Sequence, residues 1–314
     1  MKYAVISDIH GNIYALEAVL ADAKAQQVDT YLLLGDYTRD YSWPNEVVNT
    51  IRALDNAVII RGNNEDYLAQ MSKDQTAWQY ENLGLFNWNC REITTNNFEY
   101  LTSLPESERV VDHGETIHLS HISDIFFRKP KISIMYASDF RTAMESKPFS
   151  HAQYQQMVLE AILSRPDALA DVMALPKGVY LYGHNHLQSH IEIEDRLFIN
   201  PGSSGDQLDF CIDPSYTILE WTPHGWRVEE RRVAYDVERM LNDFRASDLY
   251  AFAPELCILR EKSTLTGKEF VGCFLKHVNE TGIIHGETGF PVSNDIWHAA
   301  WASWDMDNSK GVSA

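Results

Sequence analysis

MKYAVISDIHGN, residues 1–12, brings a strand, a pair of polar ligand types and a helix start into twelve positions. Tyr3 to Ile6 is a short apolar run that reads as a buried strand. It stops at Asp8-Ile9-His10, a carboxylate and an imidazole one residue apart, and Asn12 can cap a helix carrying Ile13, Leu16, Val19 and Leu20 at helical spacing. The same grammar then repeats twice. Tyr31 to Leu34 ends at Gly35-Asp36, Pro44 suits the first turn of a helix bearing Val47, Val48 and Ile51, and Ala57 to Ile60 ends at Arg61-Gly62-Asn63. Alternating strand and helix predicts an α/β fold with parallel strands and right-handed crossovers. Ligands in such sheets gather beyond the carboxyl ends of the strands, where Asp8, His10, Asp36 and Asn63 all fall.

Further along, residues 66 to 104 read as mostly helical, with Trp78, Tyr80, Phe86, Trp88, Phe98 and Tyr100 as packing aromatics. Val110 to Ile117 reads as a hairpin turning at His113-Gly114, whose second arm delivers His121. Residues 122 to 178 start irregularly, continue into a helix over Ala152 to Leu163, and suit a wall or lid over a site. Gly178 to Tyr182 is another strand, ending at Gly183-His184-Asn185-His186. Ile191–Ile193 and Leu197–Ile199 form a hairpin through Glu194-Asp195, followed by the turn-rich Asn200 to Gly205. Tyr216 to Trp221 and Trp226 to Val233 complete the sheets. The expected division is a main domain over 1–235 and a mostly helical extension over 236–314, opening with a helix over Val237 to Phe244 and packed on the domain or on a partner.

With 26 Lys plus Arg against 45 Asp plus Glu, the net charge is −19. Such a surface repels polyphosphate backbones, which disfavours a long nucleic acid as partner and a nuclease as function. Cys90, Cys211, Cys257 and Cys273 form no CxxC and read as free thiols of a reducing compartment. No leader-like segment or spanning apolar run is visible, so a cytoplasmic protein without membrane partners is expected.

Asp8, His10, Asp36, Asn63, His121, His184 and His186 are metal-grade ligands, and most sit where an apolar run breaks off. Core packing does not explain that order. Two cations about 3.5–4 Å apart can clamp a phosphoryl group and activate water, and they need one ligand touching both, for which Asp36 is the candidate. Asp8 and His10 would serve one metal, Asn63 and His121 the other, with His184 and His186 divided between them. His184 and His186 share a side if the backbone is extended.

Asp8-Ile9-His10, Gly35-Asp36, Gly62-Asn63, His121 and Gly183-His184-Asn185-His186 resemble the five blocks of the calcineurin-like metallophosphoesterase superfamily. Gly11-Asn12 and Asn200-Pro201-Gly202-Ser203 resemble its bacterial phosphodiesterase branch, and the likeness covers roughly residues 1 to 233. The resemblance implies a two-sheet αββα sandwich with a dinuclear site at its upper edge. It implies one metal on Asp8, His10, Asp36 and His186, and another on Asp36, Asn63, His121 and His184. Manganese, iron and zinc are usual there, and nitrogen and oxygen ligands suit all three.

Two departures matter. The third block of the family commonly reads Gly-Asn-His-Asp/Glu, whereas here it is Gly62-Asn63-Asn64-Glu65. That His contacts the phosphate and protonates the leaving group in many members. Asn64 can donate a hydrogen bond to phosphate but cannot deliver a proton. General acid catalysis is worth ~10²–10⁴-fold, so its loss penalises poor leaving groups most. Glu65 would then orient Asn64 or cap the following helix. The fourth block is usually His-Gly, but Ile122 follows His121, and His113-Gly114 and His118 are competing positions. His121 is preferred because it ends an apolar strand. Arg39 and Arg61 are candidate phosphate contacts.

The expected activity is therefore hydrolysis of a phosphodiester or nucleotide-type anhydride on a small phosphorylated substrate, with Asp36 and Asn64 catalytic and Asn64 and Arg39 on the substrate. The alternative is a phospholigand-binding or scaffold protein with a retained metal site and little turnover.

Overall fold

The computed structural model describes residues 1–73, 75–128 and 132–306. In chain order the strands are β1 Lys2–Ile6, β2 Thr30–Leu33, β3 Ala57–Ile59, β4 Ser107–Asp112, β5 Glu115–Ser120, β6 Gly178–Leu181, β7 Ser189–Ile193, β8 Arg196–Asn200, β9 Ser215–Thr222 and β10 Gly225–Arg232. The α-helices are α1 Ile13–Ala25, α2 Pro44–Arg52, α3 Asn63–Met71, α4 Gly84–Glu92, α5 Thr95–Ser103, α6 Ala137–Ser146, α7 His151–Leu163, α8 Pro166–Ala174, α9 Val237–Arg245, α10 Asp248–Phe252, α11 Pro254–Thr266, α12 Val271–Ile284 and α13 Asn294–Ser303.

The strands form two five-stranded sheets, ordered β10-β9-β1-β2-β3 and β4-β5-β6-β8-β7. β1, β2 and β3 run parallel, as their crossover helices require, and β9–β10 is an antiparallel hairpin added beside β1. Tyr3, Val5, Leu32, Leu34, Ile117, Leu119, Val179, Leu181 and Ile199 fill the space between the sheets. α1, α2 and α5 cover the outer face of the first sheet through Leu16, Val19, Val48, Ile51 and Leu101. α7 and α8 cover the second through Tyr154, Val158, Ile162 and Val172 against Phe198 and Ile191. This is the αββα sandwich, with strand ends β1, β2, β3, β5 and β6 opening on one edge.

Strands give way to helices between Arg232, the end of β10, and Val237, the start of α9. α9 to α13 bury Met240, Phe244, Leu256, Phe274 and Trp297 in a fourth core that also contains Tyr41, Leu85 and Trp88 from the first part of the chain. The last eight positions of the expected extension, 307–314, lie outside the described residues.

Glu230 on β10 clamps the sandwich from the side. His190 of β7 lies 2.8 Å from one carboxylate oxygen and His151 of α7 lies 2.6 Å from the other, so both sheets and a helix meet at one anion. Burial opposes the charge of Glu230, but the hydrogen bonds and charges of the two histidines outweigh it and bring its pKa down to about 2. A depressed carboxylate contributes stability above its ordinary value and loses it as pH falls toward the folded value. Glu230→Gln should therefore cost about 1–2 kcal/mol at pH ~6, after discounting for solvent at the half-exposed histidines. The gap to wild type in urea titrations should shrink as pH drops below about 4.5. A gap that widens toward acid would contradict this assignment.

Candidate metal centre

Each expected ligand sits on the loop that leaves a strand. Asp8 and His10 follow β1, Asp36 follows β2, Asn63 follows β3 and opens α3, His121 follows β5, and His184 and His186 follow β6. Backbone hydrogen bonds zip these loops together: Asp8 N–H donates to the Gly35 carbonyl, His10 N–H to that of Asp36, Gly183 N–H to that of His121, and Gly205 N–H to that of Asp8. The turn after β8 backs them. Ser203 Oγ donates to the Asp8 carbonyl at 2.6 Å, and the Asn200 amide donates to the Gly183 carbonyl at 2.8 Å.

Five of the seven residues hold left-handed backbone: φ is 55° at Asp8 and His10, 57° at Asp36, 63° at His186 and 76° at His184. An L residue pays roughly 1–2 kcal/mol for that conformation. Strain of this kind, concentrated on polar loop residues and held by surrounding hydrogen bonds, marks functional sites. It also replaces the extended backbone by which His184 and His186 were expected to face the same way.

The seven side chains converge. His10 Nε2 and His186 Nε2 lie 3.1 Å apart, at 3.7 and 3.4 Å from Asp8 Oδ1. His121 Nε2 lies 3.3 Å from Asp36 Oδ2, and His184 Nδ1 lies 2.8 Å from Asn63 Oδ1. Asp36 Oδ2 is also 3.9 Å from His10 Nε2, so this carboxylate stands between the two groups, while Asp8 Oδ1 is 3.9 Å from His121 Nε2. Tight three-ligand groups are Asp8–His10–His186 and Asp8–Asp36–His121.

The outer ring atoms set the tautomers. His10 Nδ1 donates to Asp40 Oδ2 at 2.5 Å, His121 Nδ1 to the Leu34 carbonyl at 2.8 Å, and His186 Nδ1 to the Asp206 carbonyl at 2.6 Å. Acceptors on that side leave each neutral ring with an Nε2 lone pair facing the centre. Asp8 Oδ1 and His121 Nε2 are buried without a hydrogen-bond partner among the described residues. Lone pairs and carboxylate oxygens pressed together need cations, so the residues fit a pair of divalent metals. Without them, protons take over. Burial lowers His121, but Asp36 and Asp8 outweigh it and bring it up to about 9, and Asp40 drives His10 up likewise. His184, buried and beside the charge on His121, falls to about 4 and stays a neutral donor. Metal binding at this centre would therefore displace protons.

Of the competing histidines, only His121 reaches the cluster. His113 sits at the β4–β5 turn stacked on Trp221, and His118 stacks on Tyr180. Asn64 is buried, with its backbone N–H on Asp36 Oδ1 at 2.8 Å and its side-chain oxygen receiving Arg39 Nη1 at 3.0 Å. Arg39, at a φ of 115°, lines the same cavity of about 200 Å³ as His10, Asp36, His184 and His186. Arg61 instead holds Asp66 and the Leu104 carbonyl. Glu65 takes the capping role of the two foreseen. Its carboxylate accepts the N–H groups of Gly62, Asp36 and Tyr37, pinning two ligand loops together.

Sequence reasoning missed Asp40, Asp206 and Arg260. Burial opposes ionisation of both carboxylates, but the Arg260 guanidinium between them holds each below the ordinary carboxylate range. Asp40 and Asp206 carry no local signal. Arg260 does carry one, because it occupies the buried stripe of α11 with Leu256, Cys257, Ser263 and Thr264.

Known proteins share this fold. An uncharacterized protein of Methanocaldococcus jannaschii, MJ0912, is 26% identical over 251 residues, spanning 75% of this chain and 88% of that protein. The fold is similar to that of a metallophosphoesterase from Sphaerobacter thermophilus, with a TM-score of 0.57 and 24% identity over 84% of this chain and all of that one. It is also similar to hypothetical protein PH1004 from Pyrococcus horikoshii OT3, with a TM-score of 0.60 and 16% identity over 85% of this chain and 99% of that one. The family model for calcineurin-like phosphoesterases matches residues 1–188, more than half of the sequence, and the chain belongs to that family.

Proposed function

We propose that this protein hydrolyses phosphodiesters or nucleotide-type phosphoanhydrides with the help of two divalent cations. The carrying observation is the convergence of seven ligands from five strand ends around buried, unpartnered Asp8 Oδ1 and His121 Nε2. Asp8, His10, Asp36 and His186 would hold one cation, and Asp36, Asn63, His121 and His184 the other. Bound there, the pair would polarise a phosphoryl oxygen and lower the pKa of water to supply the nucleophile.

The chain's own groups do the rest. Arg39 offers positive charge at the cavity wall and holds the buried Asn64 oxygen, while the Asn64 amide nitrogen lies 3.3 Å from His10 Nδ1 and would have to turn from it to meet a phosphate oxygen. Asp40, Leu34 and Asp206 keep the imidazoles in one tautomer and orientation. A second cavity of about 450 Å³ touches the centre at Asn63 and His121 and gives room for the second ester arm of a substrate. With Asn64 where a proton donor commonly stands, leaving groups must depart largely unassisted. Acidic leaving groups are therefore favoured, and no helix among the described residues is long and apolar enough to direct the protein across a membrane.

The test is hydrolysis by manganese-loaded protein. Bis-p-nitrophenyl phosphate should turn over faster than p-nitrophenyl phosphate. A diester losing a simple alcohol should be slower than one losing p-nitrophenol by more than the ~10²–10⁴-fold that a general acid can recover. Metal-replete protein that turns over none of them would favour the phospholigand-binding reading. Equal rates for acidic and simple alcohol leaving groups would show that another residue supplies the proton.

A further inference from the structure

We propose that the C-terminal extension is part of the metal centre, with Arg260 of α11 as the positioning residue for its His10 and His186 side. The inference rests on the two-metal reading above. Arg260 is 3% exposed. Its Nη2 donates to Asp40 Oδ1 at 2.9 Å, and its Nη1 donates to Asp206 Oδ2. The other oxygen of Asp40 holds His10 Nδ1 at 2.5 Å. The carbonyl of Asp206 holds His186 Nδ1 at 2.6 Å, with its carboxylate 3.3 Å away. One planar guanidinium thus spans the two residues that aim the two imidazoles meeting at 3.1 Å. The connection joins positions 220 and 54 residues apart in the chain.

The chemistry selects arginine. Asp40 and Asp206 are both completely or almost completely buried, and two such anions side by side require a cation between them. A guanidinium presents paired donors in a rigid fork, whereas an ammonium is a point charge that cannot fix both partners' orientation. Arg39 also reaches Asp40, through Nε and Nη2 on Oδ2, but has no bond to Asp206 among those described. Arg260 Nε has no partner among the described residues, and Arg260 lines the cavity together with His10, His186 and Glu269. A tail that merely docks would need no guanidinium at this point, because α11 already has a separate polar anchor, Tyr41 Oη to Thr264 Oγ1 at 2.7 Å, inside an apolar core.

The test titrates metal-stripped full-length protein with manganese by calorimetry and measures metal retained after dialysis. Wild type should bind two equivalents. Arg260→Lys, which keeps the charge and loses the fork, should weaken one equivalent by roughly 10–100-fold, the usual effect of removing a ligand's supporting partner. Tyr41→Phe, which removes a separate polar anchor of the same helix, should bind like wild type. Wild-type affinity in Arg260→Lys overturns the proposal, and so does equal weakening in both variants, which would mean that tail docking alone matters. Should Arg260→Lys not fold, Asp206→Asn replaces it. That variant removes one end of the bridge but keeps the carbonyl on His186, and undiminished affinity there overturns the proposal as well. A wild-type protein that binds no manganese would instead defeat the two-metal reading itself.

Discussion

Asp36→Asn is expected to retain less than about one-thousandth of the wild-type kcat/KM on bis-p-nitrophenyl phosphate, since Lewis-acid stabilisation is worth several kcal/mol. The reason is local. Asp36 Oδ1 accepts the Asn64 N–H at 2.8 Å, which fixes the carboxylate and leaves Oδ2 toward His121 at 3.3 Å and His10 at 3.9 Å. In the asparagine variant the amide oxygen must take the Asn64 N–H, so the NH₂ turns into the centre. A donor there repels a cation and cannot join two of them. Metal content should fall below that of wild type while the far-ultraviolet circular dichroism stays unchanged. A folded variant with full metal content and near-normal turnover would remove Asp36 from its bridging role.

The position of Asp36 at the clustered strand ends was legible because the signal was local: an apolar run, a glycine and a carboxylate at a strand's end. The same holds for Asp8, His10, Asn63, His184 and His186, and for helix starts such as Asn12, whose side chain accepts the Ala15 N–H at 3.1 Å. Strand and helix periodicity likewise located the layers of the sandwich. What periodicity cannot carry is the partner of a side chain far away in sequence. Asp40 looks like any polar loop residue until Arg260 is placed against it, and Glu65 does not reveal that it will pin the backbone of Asp36 and Tyr37. Sheet order is illegible for a related reason. β8 lies between β6 and β7, so the β7–β8 hairpin pairs with β6 through its second arm, a choice made by long-range packing rather than by the hairpin itself.

Gly62→Ala should be a severely damaging small change next to the expected ligands. Gly62 has an ordinary extended backbone, with φ at −105°, so space and not conformation demands glycine. A β-carbon built there would lie 2.2 Å from Asp36 Oδ1 and 2.6 Å from the Asp36 nitrogen, both of them fixed atoms. Gly35 closes the same contact from the other side, its own β-carbon position lying 2.4 Å from the Gly62 nitrogen. The two loops that carry Asp36 and Asn63 therefore touch backbone to backbone, and the Asp36 carboxylate occupies the room a methyl would need. Overpacking typically costs 1–3 kcal/mol and more where nothing can yield, so a loss of about 3 kcal/mol is expected. Metal retention and turnover should fail together with it, because relief of the clash must move Asp36. Gly272→Ala is the matched control. Its methyl, at the second position of α12, meets only the Glu269 side chain, at 3.3 Å, which already accepts the Gly272 N–H, so only a small change in stability is expected. Melting curves that rank Gly62→Ala beside Gly272→Ala would show that the two loops can separate, and that the close approach of Gly35 and Gly62 is not what holds the Asp36 carboxylate in place.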